Sequence, residues 1–267
     1  MLPLLLTLPT NSLYKRHILI FRRRSFQSLI PRHRYNRGIA TINRFVMPYI
    51  TRALALPQAE LEKTTNSDAG FTFLHSVARH TRDPRALRDQ LVAVLLAGRD
   101  TTAATLSWAL YELCRYPDKY QRLRREVLAA LGGSRTRRPD YADLKAMVYL
   151  RHTLNETLRL YPAVPYNLRA ALEDTTLPAR AATAAGQRQP EISVVEGDIV
   201  IYSALAMQRR PDLYPPISET FADPAVFSPE RWEHWTPKPW HHVPFNGGPR
   251  ICVGQNFAMT EMAYCRE

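Results

Sequence analysis

Residues 245–254 read Phe245-Asn246-Gly247-Gly248-Pro249-Arg250-Ile251-Cys252-Val253-Gly254, three glycines, a proline and an arginine around one cysteine. Such a run makes a tight turn whose backbone can approach a bound group closely, because Gly tolerates φ > 0 and carries no Cβ. Cys252 stands where the turn passes into an apolar, helix-compatible run over 253–264. Backbone N–H groups at a helix N-terminus and the nearby Arg250 favour its thiolate. A thiolate whose donation is tuned suits a metal ligand, and the axial ligand of haem iron is one such role. The plainer alternative is a buried cysteine in a Gly-rich turn.

At 267 residues the chain can bury one large core or two modest ones. Most of its 21 prolines fall between periodic segments, so they punctuate a helix-rich chain. Cys114, Cys252 and Cys265 make no disulfide framework and suit a reducing compartment. The net charge of +12 is concentrated at one end: residues 1–59 hold ten Lys or Arg and no Asp or Glu, leaving 26 basic against 24 acidic residues elsewhere. The total charge is therefore no sign of nucleic-acid binding by the whole protein. The Arg-rich leader reads as a basic arm or a transit-like segment. No stretch reaches the ~20 apolar residues of a spanning helix, and the apolar run before Pro9 is too short. On this reading the chain has no membrane anchor.

Working back from the cysteine, helical spacing of Ile42, Phe45, Val46, Tyr49, Ile50 and Ala53 predicts a helix over 40–56. A further helix starts within 57–62, a turn falls at 66–70 and a short helix at 71–79. Asp83-Pro84 is a helix start, with a capping carboxylate before a proline at the first helical position. Apolar positions then run from Leu87 to Leu113, a helix of about 30 residues and ~45 Å, apolar on many sides and so central. Its middle, Ala97-Gly98-Arg99-Asp100-Thr101-Thr102, puts small and polar groups in a core element. The expectation there is either a local opening of the helix that exposes Thr101 and a water to a ligand, or a plain solvent-facing turn. Helices follow at 117–131 and 148–160. Glu156 and Arg159 share a face of the latter, which alone is a common surface pair. Short β-prone runs at 168–172, 192–195 and 199–202, with Gly197-Asp198 as a turn, predict a small sheet. Residues 179–189 form a loop insertion, and the prolines between 211 and 239 keep the following stretch irregular. His241 and His242 lack the partners that a zinc site needs.

Phe245, Gly248, Arg250, Cys252 and Gly254 together resemble the haem-binding signature of cytochromes P450. Ala97-Gly98-Arg99-Asp100-Thr101-Thr102 resembles the oxygen-activating helix of that family. Glu156-Thr157-Leu158-Arg159, with Arg231 in Phe227-Ser228-Pro229-Glu230-Arg231-Trp232, resembles its paired Glu and Arg. The phrases Arg82-Asp83-Pro84, Leu95-Leu96-Ala97-Gly98-Arg99-Asp100 and Phe245-Asn246-Gly247-Gly248-Pro249-Arg250 are closest to the fungal alkane and fatty-acid hydroxylase branch. The resemblance implies a mainly α fold with a small β-sheet region, the C-terminal half of the P450 fold, with the N-terminal half missing. It divides the chain into a basic leader, 1–39, and a truncated haem domain, 40–267. That domain holds a long central helix over 84–114, the Glu-x-x-Arg helix over 148–160 and an irregular meander over 204–244. The cysteine loop over 245–254 and a partial last helix over 254–267 complete it.

The resemblance further implies a haem-thiolate monooxygenase that inserts one atom of dioxygen into a C–H bond of a lipophilic substrate such as an n-alkane or fatty acid. Its cofactor is haem b, iron protoporphyrin IX. Cys252 is the implied metal ligand. Arg250 and Arg169 neutralise propionates, and Phe245 moderates the cysteine. Thr101 and Asp100 are the implied catalytic pair for oxygen and proton handling, while Ala97 and Gly98 leave room for dioxygen. Glu156, Arg159 and Arg231 hold the cysteine loop. Electrons come from NADPH-cytochrome P450 reductase, because the chain has no flavin or nicotinamide fingerprint, and the family's location is the endoplasmic reticulum membrane. Family members run to nearly twice this length, so the competing expectation is a catalytically inactive truncated paralogue or a gene-model fragment.

Overall fold

The computed structural model describes residues 33–63, 72–132, 137–178 and 190–264. The leader before residue 33, the turn at 66–70, the insertion at 179–189 and Cys265 lie outside the described residues. The chain divides into two units between Ala97 and Gly98.

The first unit contains α1 (His33–Ala55), α2 (Gln58–Lys63), α3 (Phe73–His80) and the start of α4 (Pro84–Arg115). Val46, Ile50 and Ala53 recur at helical spacing on α1 and bury against Leu61, Leu74, Ala78 and Leu87. α1 begins seven residues before the expected start at 40, and so crosses the boundary drawn for the leader. Its first turns are mostly polar and lack the apolar recurrence from which the helix was read. Arg82 donates to the carbonyls of Leu54 and Leu56, which α1 leaves open at its C-terminus. Asp83 caps α4 as its position suggests, its carboxylate accepting the Arg85 N–H at 2.9 Å.

The second unit holds the rest of α4, then α5 (Pro117–Leu131), α6 (Tyr141–Ala146) and α7 (Val148–Leu160). Two antiparallel pairs follow: β1 (Tyr166–Ala170) with β4 (Ile199–Ser203), and β2 (Thr175–Leu177) with β3 (Ile192–Val194). α8 (Ala204–Met207), α9 (Arg231–His234) and α10 (Gln255–Tyr264) complete it. The Gly197 turn is present, with φ +89°, but the runs on either side pair with separate strands rather than with each other. The partner of β3, Thr175–Leu177, is only three residues long and gives no alternating pattern to read.

The core of this unit is Leu113, Leu123, Met147, Tyr149, Leu150, Leu154, Leu158, Leu160, Phe227 and Met262. Ten of the 13 residues of α7 are buried, so its polar side chains must find partners inside the fold. Its N-terminus is capped from α5: the Glu126 carboxylate accepts the N–H groups of Tyr149 and Leu150, each at 2.9 Å. α4 runs unbroken through residues 97–102, so the expected local opening of its ladder is not seen. Thr105 instead returns its hydroxyl to the Thr101 carbonyl at 3.0 Å, the usual way a helix absorbs threonine. α4 also leaves Leu110 and Tyr111 exposed, at 63% and 50%, so it is less enclosed than its all-round apolar pattern predicts.

Candidate functional site

The cysteine loop is closed by its own backbone. The Cys252 N–H donates to the Phe245 carbonyl at 2.8 Å, and the Asn246 N–H to the Val243 carbonyl at 3.2 Å. Two of its glycines have definite steric reasons. A Cβ on Gly247 would stand 2.4 Å from the Trp240 ring, and Gly248 holds φ +65°. The close approach expected of this backbone is to a bound group; the contact present at Gly247 is with Trp240. Asn246, at φ 63°, is one of the few residue types that tolerate that region. Its side chain ties the loop to the sheet, accepting from the Tyr202 hydroxyl at 2.7 Å and donating to Asn167 at 3.0 Å. α10 begins at Gln255, so Cys252 precedes the helix by three residues and its side chain is exposed.

Cys252, Arg250 and Phe245 line one cleft, open to solvent, together with Thr101 and Thr102 from α4 and Met262 from α10. Leu158, Val164, Val243 and Pro244 make much of its remaining wall apolar. The Thr102 hydroxyl donates to Glu261 at 3.1 Å and fastens α4 to α10 beside the cleft. Asp100 is exposed and ion-paired with Arg99 at 2.6 Å, next in sequence to Thr101 but not part of the lining. A Cβ on Gly98 would meet nothing within 4 Å. Ala97 closes the first unit. Arg169 lies on β1 two residues after the lining residue Asn167, hence on the same strand face. Its guanidinium is turned to the Leu168 carbonyl and over the Tyr202 ring.

Behind the loop, Glu156, Arg159 and Arg231 are each completely buried. Arg159 grips both carboxylate oxygens of Glu156 at 2.8 Å. Arg231 Nε and the Ser228 N–H add bonds of 2.9 Å to Oε1, and Trp232 Nε1 adds one of 3.0 Å to Oε2. The remaining guanidinium N–H groups reach backbone carbonyls, among them Pro224 from Arg159 and Ala222, Asp223 and Val226 from Arg231. Burial alone raises the Glu156 pKa. The hydrogen bond and charge of Arg159, with the charge of Arg231 and the Ser228 N–H, outweigh it and hold the group below the ordinary glutamate range.

A family model described as cytochrome P450 matches residues 18–265. The chain belongs to the cytochrome P450 family. Cytochrome P450 monooxygenase pvhE of Talaromyces variabilis is 49% identical over 247 residues, 92% of this chain and 45% of that protein. Cytochrome P450 52A4 of Candida maltosa is 41% identical over 249 residues, 91% of this chain and 44% of its own length. Cytochrome P450 52A1 of Candida tropicalis is 43% identical over 235 residues, 86% and 41% respectively. These P450 relatives are fungal, as the sequence phrases indicated, and the chain spans less than half the length of each. The P450 match begins inside the stretch set apart as a leader.

Haem is the cofactor this family implies, and the donor set of the cleft fits it. The lining offers one thiol, apolar walls and one guanidinium, and the described residues hold no cluster of three or more His, Cys, Asp or Glu. A macrocycle that brings its own four nitrogens needs a single protein ligand of this kind. Among the described residues, His241 and His242 belong to no group of three or more His, Cys, Asp or Glu. His241 Nδ1 and His242 Nε2 are instead buried without a hydrogen-bond partner among the described residues.

Sequence reading gave no role to Gln208, Trp232, Trp240 or Asn246, which lie in or contact the cysteine loop or the buried ion network. The bonds of Gln208, Trp232 and Asn246 span long separations in sequence and leave no periodic signal. His242, edge-on to Trp232 at 4.9 Å, carries a measurable consequence. Burial, aided by the Arg159 charge and opposed by Glu156, pushes its pKa down to about 4 from an ordinary 6.5. The folded state therefore favours neutral imidazole. That stability is complete above pH 6.5 and is lost as the pH falls toward 4, a loss of about 3 kcal/mol in total. Urea unfolding at pH 7 and pH 4.5 is expected to show His242→Phe losing less stability on acidification than the parent chain.

Proposed function

We propose that this chain forms the haem-binding part of a P450 monooxygenase that inserts one atom of dioxygen into a C–H bond of a lipophilic substrate, an n-alkane or fatty acid. The observation that carries the reading is the meeting of Thr101 and Cys252 on one cleft, 151 positions apart in the chain. Haem b, when bound, supplies the activation of dioxygen.

The residues of the chain divide the remaining tasks. Cys252 would hold the haem iron through Sγ, and its N–H, held by the Phe245 carbonyl, fixes the backbone of the loop that presents that sulfur. Arg250 places a positive charge on the cleft for a propionate, and Arg169 supplies a second from the strand face that carries Asn167. Thr101, in the cleft lining from α4, would hold oxygen and water there. Asp100, exposed beside it, passes protons between solvent and Thr101. Ala97 and Gly98 keep the helix slim for dioxygen. Glu156, Arg159 and Arg231 fasten the meander before the loop to α7.

Electrons reach the site from NADPH-cytochrome P450 reductase, and the place of work is the endoplasmic reticulum membrane. No helix among the described residues is long and apolar enough to cross a bilayer. Carbon monoxide difference spectroscopy on the purified, haem-reconstituted chain tests the proposal. A reduced-CO band at the position typical of thiolate-ligated haem is expected. Its absence, with the chain folded, would favour the catalytically inactive paralogue or gene-model fragment.

A further inference from the structure

Gln208 is completely buried, and every polar group of its side chain is used. Its amide nitrogen donates to the carbonyls of Leu158 and Arg159, both at 3.1 Å. Its amide oxygen accepts the Val243 N–H at 2.7 Å. Only this orientation satisfies two acceptors on one side and one donor on the other, so the geometry fixes the amide. The two carbonyls close α7, the helix that carries Glu156 and Arg159. Val243 lines the cleft and accepts the Asn246 N–H, and Phe245, two residues further on, accepts the Cys252 N–H. A continuous path of hydrogen bonds and peptide groups therefore runs from the buried ion network through one neutral side chain to the backbone N–H of Cys252.

We propose that Gln208 is a positioning residue that sets the cysteine loop against the end of α7 and so fixes where Cys252 Sγ stands in the cleft. This rests on the reading of Cys252 as the haem ligand. The three charged residues hold the meander to α7, but none of the bonds found for them reaches residues 243–252. Gln208 makes that connection. An aliphatic side chain there leaves the Val243 N–H without its acceptor, and the loop can then shift as a unit while the charged network stays intact.

The test uses the full chain with Gln208→Met and, as a control of the same core with no bond to the loop, Leu123→Ala. Amide-resolved hydrogen exchange on the haem-free protein is expected to show the Cys252 N–H exchanging about tenfold faster in Q208M than in L123A, after scaling for global stability. Equal rates would overturn the proposal. If Q208M does not fold, Gln208→Asn, too short to span both sides, is measured in its place against the same criterion. A second arm reads the reduced-CO spectrum of the haem-loaded chain, where Q208M is expected to split between thiolate and non-thiolate forms while L123A keeps one. Loss of the thiolate form in the parent chain would refute the haem reading alone, because the exchange arm still decides the role of Gln208.

Discussion

Glu156→Ala is expected to lower the unfolding free energy by about 3–5 kcal/mol, a large share of the ~5–15 kcal/mol typical of a domain. The carboxylate receives five hydrogen bonds, and its removal leaves two arginines buried with nothing to offset their charge. Water cannot relieve them, since both are wholly inaccessible. Glu156→Gln is expected to be nearly as harmful, because its NH2 group must face donors where an acceptor is required. The sign of the pH effect follows from the lowered Glu156 pKa. Stability from this group is full above the ordinary glutamate value and is lost as the pH falls through the depressed folded value. Urea titrations between pH 7 and pH 3 should therefore show less acid sensitivity in Glu156→Gln than in the parent chain. A loss below ~1 kcal/mol for Glu156→Ala would mean that the network contributes little.

That network shows how far residue types alone could be read. Glu156 and Arg159 at a three-residue interval are ordinary surface chemistry, and only their likeness to a family pairing singled them out. The long helix, the Asp83 cap and the helices at 117–131 and 148–160 were legible because apolar recurrence and capping act over a few residues. The order of strand pairing was not, since a three-residue strand carries no alternation. Gln208 was silent for a related reason: it joins α7 to Val243 across 35 positions by one amide, and nothing local distinguishes it from a solvated glutamine. The glycines were half legible. Gly248 serves the turn, whereas the space over Gly247 is taken by Trp240. Thr101 and Cys252 were placed on one cleft by resemblance, and they line one. Asp100 stands outside it, so the proton-handling role proposed for it rests on adjacency to Thr101.

Cys252→Ser is expected to have the opposite profile from Glu156→Ala. Cys252 is exposed, so the change should move stability by no more than ~0.5 kcal/mol. Haem affinity should nonetheless fall by more than about 100-fold, since loss of groups that merely support a metal ligand already costs 10–100-fold. Cys114→Ser, also at an exposed cysteine, is the control and should leave binding unchanged. Together the two variants separate what holds the chain in shape from what holds the cofactor. Haem titration followed by absorbance, alongside urea unfolding of the haem-free proteins, measures both quantities.

Iron-edge X-ray absorption of the haem-reconstituted chain addresses the sulfur itself. One sulfur scatterer at bonding distance, present in the parent and in Cys114→Ser and absent in Cys252→Ser, is the expected result. An iron shell of nitrogen or oxygen alone in the parent chain, or a sulfur that survives Cys252→Ser, would contradict it.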